Sequence, residues 1–215
     1  MDIIMIQEVG LQKAINKNYR GFRDFYDAYQ NGTIKKINAV LALISVLLLF
    51  THSIYEVFSF LAFYYNPMVT SAIAFTLASC MMLHAAISMT VLGVKHDGNA
   101  LDKYPKENIR TIIQRGSACG LLLILPFHIK TGDWISSKFG GFGFLVVLIV
   151  LGILFWAFTF IHIGSSFTRA LITLGILKSV KTQKILDWII WVICGILFII
   201  SLFVIIKTQI ILFKM

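Results

Sequence analysis

Of the five histidines in the chain, four fall singly in four successive apolar stretches: His52, His84, His128 and His162. A histidine inside hydrocarbon is costly and is usually functional. The competing reading, a ring satisfied by a bond to the next helix, weakens when the pattern occurs four times running. Neutral imidazole is a ligand for haem iron. Two facing helices of a bundle can each offer one nitrogen to a b-type haem held between them. Four histidines therefore suit two haems. Zinc fits poorly, because the four split into two depths, lack Cys or carboxylate partners and sit in hydrocarbon. His96, in Lys95-His-Asp-Gly-Asn99, reads as a solvated loop residue. Met81, Met82 and Met89 read as packing rather than ligands. No HExxH, P-loop or GxGxxG pattern is present.

The elements that position these residues must be membrane spans. Hydrophobic residues make up 58% of the 215 residues and charged residues only 13%, too little polar surface to cover a soluble globule and too apolar for disorder. Five stretches are long enough to cross about 30 Å of hydrocarbon. They run roughly over Asn38–Tyr64, Met68–Val94, Ile112–Ile129, Phe142–Phe167 and Ile185–Ile206. With no water to satisfy the backbone, each must be a helix. The expected fold is an all-α membrane protein. Its five transmembrane helices over residues 34–215 would form an up-and-down bundle, with two b haems between helices one to four. Residues 1–33 are charged throughout and read as a cytoplasmic or interfacial segment, not a cleavable signal peptide. Within it, Tyr19–Tyr29 interleaves rings and charges. That suits a helix lying at headgroup level or a surface docking on a soluble partner; the plainer reading is a solvated arm. No internal repeat or low-complexity run stands out. Cys80, Cys119 and Cys194 lie in apolar runs without close pairing, so no disulfide framework is implied.

Lys and Arg set the orientation. Fifteen of the 19 fall in the N-terminal segment and in the loops after spans two and four. Only Lys130, Lys138, Lys207 and Lys214 lie on the other side. The basic side is expected to be cytoplasmic, which puts the N-terminus inside and, after five crossings, the C-terminus outside. The net charge of +9 then reflects topology-setting loops rather than a nucleic-acid surface.

Depth ranks the histidine pairings. At about 1.5 Å per residue from the nearest basic residue, His52 lies about 24 Å above the inner face, His128 about 20 Å, His84 about 16 Å and His162 about 10 Å. Pairing His52 with His128 and His84 with His162 gives the smallest mismatches, about 4 and 6 Å. Pairing His52 with His84 and His128 with His162 gives about 8 and 10 Å. Pairing His84 with His128 strands the other two. The favoured set joins diagonal partners of an up-and-down bundle and stacks an outer haem over an inner one, a route for electrons across the bilayer.

Two segments carry a resemblance. Helix three reads Arg115-Gly-Ser-Ala-Cys-Gly120, then Leu121-Leu-Leu-Ile-Leu-Pro-Phe-His128. Helix four reads His162-Ile-Gly-Ser-Ser-Phe-Thr-Arg-Ala-Leu-Ile-Thr-Leu-Gly175. With five spans and this histidine order, the chain from about Asn38 onward resembles the di-haem cytochrome b558 membrane-anchor subunit of succinate dehydrogenases and fumarate reductases. The resemblance implies a complex in the bacterial cytoplasmic membrane. In it a flavoprotein interconverts succinate and fumarate, an iron–sulfur subunit feeds the inner haem, and quinone, menaquinone above all, reacts near the outer haem. The dicarboxylate chemistry would lie outside this chain. Some members of the family carry a carboxylate shortly before the fourth-helix ligand, serving a proton path; here Phe158-Thr-Phe-Ile161 stands there. That departure favours uncompensated electron transfer and does not set the direction of the reaction.

Haem propionates need cations near the membrane edge. The inner-haem candidates are Lys95, Arg169 and Lys178, with Arg115 from helix three; the plainer reading is that they only enforce topology. Quinol oxidation needs a base near the outer haem. Glu56, one helical turn beyond His52 on the same face, is the first candidate, against the plainer reading of a side chain snorkelling to water. Asp133 and Trp134 are weaker ones. Two other classes remain: a di-haem subunit of another quinone-linked oxidoreductase, which usually places two histidines in one helix or uses fewer spans, and a non-haem transporter or anchor. Only Pro126 interrupts a span, whereas transporters often show broken helices.

Overall fold

The computed structural model describes residues 32–62, 65–94, 105–137 and 139–214. The described residues contain five long helices: α1 (Thr33–Ala62), α2 (Pro67–Val94), α3 (Pro105–Ser136), α4 (Gly141–Thr173) and α5 (Val180–Lys214). All five are long and apolar enough to cross a membrane, as suits a multi-pass membrane protein. Their outward faces carry exposed Leu47, Phe75, Leu123, Trp188 and Phe203, side chains that lipid, not water, would solvate. The N-terminal segment, Tyr19–Tyr29 included, and Lys95 and His96 lie outside the described residues.

The helices overrun the spans read from hydropathy. At 32 residues, α3 is about 48 Å long, against about 30 Å of hydrocarbon. Its first turns are polar, yet Pro105 sits at the first helical position, where a missing N–H costs nothing. Residues expected in loops are therefore helical: Lys106 and Arg110 in α3, Arg169 in α4, Lys181 and Lys184 in α5. Of the basic residues assigned to the loop after span four, Lys178 alone lies between helices.

The chain divides into two units, Met1–Asp97 and Gly98–Met215. The first is an antiparallel hairpin of α1 and α2. Its turn is closed by Asn66, whose side-chain oxygen accepts from the backbone of Met68 (3.0 Å) and Val69 (3.4 Å) and so caps α2 ahead of Pro67. The Asn66 N–H donates back to the Tyr55 hydroxyl on α1 at 3.3 Å.

In the second unit α4 packs antiparallel along both α3 and α5 and carries the most buried side chains, among them Leu145, Leu148, Phe155, Thr159, Phe160, Ser165 and Thr168. Trp134 packs on Phe139 and Phe144 where α3 turns into α4, over a core of Ile135, Leu145 and Leu148. At its other end α4 stops at Thr173, and Gly175 takes a left-handed φ of 75° that closes the turn with Ile176 N–H bonded to Leu171 O at 3.0 Å. Gly120 of α3 lets the Phe158 ring of α4 lie where a Cβ would be, 2.7 Å away. Gly120→Val is expected to separate α3 from α4 and to cost about 1–3 kcal/mol. Unfolding of the solubilised protein by a denaturing detergent would read this as a lowered midpoint, with Gly120→Ala affected less.

Candidate functional site

Each unit holds one histidine on its first helix and one on its second, and the hydrogen bonds treat the two kinds differently. In the first unit the His84 ring on α2 meets α1 at Asn38: Nδ1 lies 3.3 Å from the Asn38 carbonyl oxygen. In the second, Nδ1 of His162 on α4 lies 3.0 Å from the carbonyl oxygen of Gln114 on α3. A carbonyl only accepts, so each Nδ1 must carry the proton and donate. The neutral ring then has its lone pair on Nε2. Metal-binding imidazoles are held this way, the second nitrogen donating to a carbonyl or carboxylate to fix tautomer and ring plane. The donor chemistry of His84 and His162 would therefore suit a haem iron.

The same bonds fix heights within each hairpin. His84 is level with Asn38, and His52 lies 14 residues farther along α1 (38 to 52), about 21 Å. His162 is level with Gln114, and His128 lies 14 residues farther along α3 (114 to 128), again about 21 Å. Two histidines so far apart cannot meet on one iron, so His52 with His84, and His128 with His162, are excluded as pairs. Depth counting from the basic residues underestimated this separation. It placed Lys36 and Lys95 at one level, whereas α2 runs ten residues past His84 to Val94.

His52 is half-buried, and its Nδ1 is buried with no partner among the described residues. Glu56 and Ser59 follow at the i+4 and i+7 positions of the same helix face, and Glu56 Oε1 and Ser59 Oγ are also buried with no partner among the described residues. Ser59 is only 6% exposed. Three orphaned polar atoms in one column are costly, at about 1–3 kcal/mol each, and the column is a place where a polar ligand or water would be favourable. His128 is half-buried and stacks on Phe155, with ring centres 4.2 Å apart and planes 4° from parallel.

The remaining candidates scatter. Arg169 donates through Nη1 to Thr111 Oγ1 and Gln114 Oε1, both at 3.1 Å, close to His162. Arg115 and Lys178 are exposed, and Lys95 lies outside the described residues. Asp133 is exposed and pairs with Lys130 at 3.1 Å. Trp134 contributes to packing between α3 and α4.

A polar cluster not anticipated from the sequence joins three helices. Arg110 of α3 makes a bidentate pair with Asp187 of α5 at 2.9 and 2.8 Å, and also donates to Ser165 O at 2.9 Å and Thr168 Oγ1 at 2.8 Å on α4. Thr168 in turn donates to Asp187. Ser165 and Thr168 are 1% and 0% exposed. The available signal was Asp187 itself, the sole acidic residue after Asp133, since a lone carboxylate in an apolar span calls for a cation. No family model, curated protein or solved structure matches this chain.

Proposed function

We propose that this chain is the membrane-anchor cytochrome b subunit of a succinate dehydrogenase or fumarate reductase. In this reading it sits in the bacterial cytoplasmic membrane with its N-terminus inside. It is the electron-transfer part of the enzyme, bound to flavoprotein and iron–sulfur subunits, and exchanges electrons with membrane quinone, menaquinone by the resemblance. The observation that carries the proposal is the matched presentation of His84 and His162, each inside an apolar span with Nδ1–H bonded to a backbone carbonyl. His84 and His162 would hold the inner haem, His52 and His128 the outer one, all four helices forming the bundle around them. The exclusion of pairs within a hairpin supports ligation across hairpins, and the depth ranking favours this set over His84 with His128. The haem irons would supply one-electron carriage.

The chain's own residues do the rest. Carbonyls of Asn38 and Gln114 hold the inner rings, and Arg169 brings positive charge beside His162. Glu56, in the orphaned column above His52, is the base for protons released when quinol is oxidised. Glu56→Gln is expected to keep both haems and dye-linked succinate oxidation while lowering quinone-linked turnover about a hundredfold; normal quinone turnover would remove Glu56 from the mechanism. The proposal as a whole is tested by purifying the tagged chain from its native membrane. Co-purification of a flavoprotein and an iron–sulfur protein, with haem reduced by succinate or oxidised by fumarate, is expected. A chain that purifies alone and is indifferent to both dicarboxylates would contradict it.

A further inference from the structure

The two hairpins share a spacing that residue order alone conceals. In each, an amide residue on the first helix, Asn38 or Gln114, offers its backbone carbonyl to the histidine ring of the second helix. In each, the first-helix histidine follows that amide residue by 14 positions, at 52 and 128. Fourteen residues are close to four full turns, so amide and histidine share nearly one face. In each, the second-helix histidine is followed four residues on by a serine, Ser88 or Ser166. The side chain of the amide residue is used as well. Asn38 Nδ2 donates to Ser88 Oγ at 3.0 Å, one turn beyond His84. Gln114 Oε1 accepts from Arg169 at 3.1 Å, two turns beyond His162.

We infer that Asn38 and Gln114 are equivalent positioning residues, each fastening a hairpin at two points so that its carbonyl meets the histidine ring and selects the Nδ1–H form. A backbone carbonyl faces a ring on the neighbouring helix only if the two helices hold a fixed sliding register. The ring–carbonyl bond sets that register at one point; a second bond a turn or two away along the same face resists sliding and tilting about that point. Smooth apolar faces leave the register open, and these polar contacts between neighbouring helices decide it. In the second hairpin Ser117, 3% exposed, also donates to the Gln114 carbonyl at 3.0 Å and lies 3.4 Å from His162 Nδ1, and Arg169 also reaches Thr111. The ring–carbonyl distance is 3.3 Å in the first hairpin and 3.0 Å in the second.

The assignment of these rings as haem ligands rests on the function proposed above; the fastening does not. Nitrogen-15 NMR of histidine-labelled protein, kept chemically reduced so that any low-spin iron is diamagnetic, reads the ring tautomers directly. The wild type is expected to show His84 and His162 as Nδ1–H. Asn38→Leu should weaken the His84 Nδ1–H bond and move its proton signal upfield while His162 stays unchanged; where no iron holds Nε2, it should also bring His84 into a mixture of tautomers. Ser88→Ala should do the same through the other end of the bond, and Ser88→Thr, which keeps the hydroxyl, should restore the wild-type signal. In haem-loaded protein the same two variants should raise the inner haem's midpoint potential, because a less strongly hydrogen-bonded imidazole is a weaker donor to ferric iron. A His84 signal unchanged in both Asn38→Leu and Ser88→Ala would overturn the inference. A tautomer change in protein that binds no haem would uphold the fastening and remove the haem reading.

Discussion

Replacing His84 with alanine is expected to remove one b haem, or convert it to a high-spin form, while leaving the second low-spin haem intact. Alanine would take away one of the two histidine nitrogens proposed to hold that haem. His162→Ala should affect the same haem, and His52→Ala and His128→Ala should both affect the other. Low-temperature spectra and electron paramagnetic resonance of the four variants would sort them into two classes. The heights within each hairpin sharpen the expectation. His52 and His84 are about 21 Å apart along the hairpin axis because His84 is bonded at the level of Asn38. In the proposed ligation His52→Ala and His84→Ala therefore act on different haems. Loss of the same spectroscopic haem in both would show the assignment to be wrong. A grouping of His84 with His128 would keep the haems and replace the pairing.

The second large effect is expected at Arg110, and it concerns stability rather than electron transfer. The guanidinium and the Asp187 carboxylate are each about one-fifth exposed, at 22% and 20%, and Arg110 also satisfies Ser165 O and Thr168 Oγ1. Arg110→Leu would leave Asp187 charged in an apolar helix with the Thr168 hydroxyl as its remaining donor in the cluster. Removing one partner of a buried pair costs about 3–5 kcal/mol; partial exposure lets solvent screen the orphan, which brings the expectation to about 2–3 kcal/mol. Asp187→Asn should cost less, since the amide keeps an oxygen for the Arg110 and Thr168 donors. The double variant Arg110→Leu/Asp187→Leu should recover part of the loss, because no charge is then stranded. Detergent unfolding curves of the three variants would show this order. Equal stability of Arg110→Leu and the wild type would mean that the cluster does not hold α3, α4 and α5 together.

The five helices were legible because a span in hydrocarbon is dictated by length and apolarity, both visible in the residue order. Their ends were not. The polar first turns of α3 read as loop, and only the helix geometry shows that Arg110 projects from a continuous helix toward α4 and α5. The face shared by His52 and Glu56 followed from helical spacing alone. The role of Asn38 could not: an amide two residues after Lys36 is unremarkable in sequence, and the ring it meets lies 46 residues away. Contacts of that kind depend on how far one helix slides along another, which apolar periodicity leaves open and specific hydrogen bonds decide. For the same reason counting residues from the nearest Lys or Arg ordered the histidine depths correctly within each hairpin but gave too small a separation, since Lys36 and Lys95 do not mark one plane.

That four membrane histidines hold two haems is tested by haem quantitation, which assumes neither a partner nor a substrate. The chain, purified in mild detergent from cells able to make haem, is converted to its pyridine haemochrome and measured against protein by amino-acid analysis. Two b-type haems per chain and a reduced-minus-oxidised spectrum of low-spin cytochrome b are expected. A folded, colourless protein, or one carrying a single haem that persists when His84 and His162 are both replaced by alanine and also when His52 and His128 are, would contradict it.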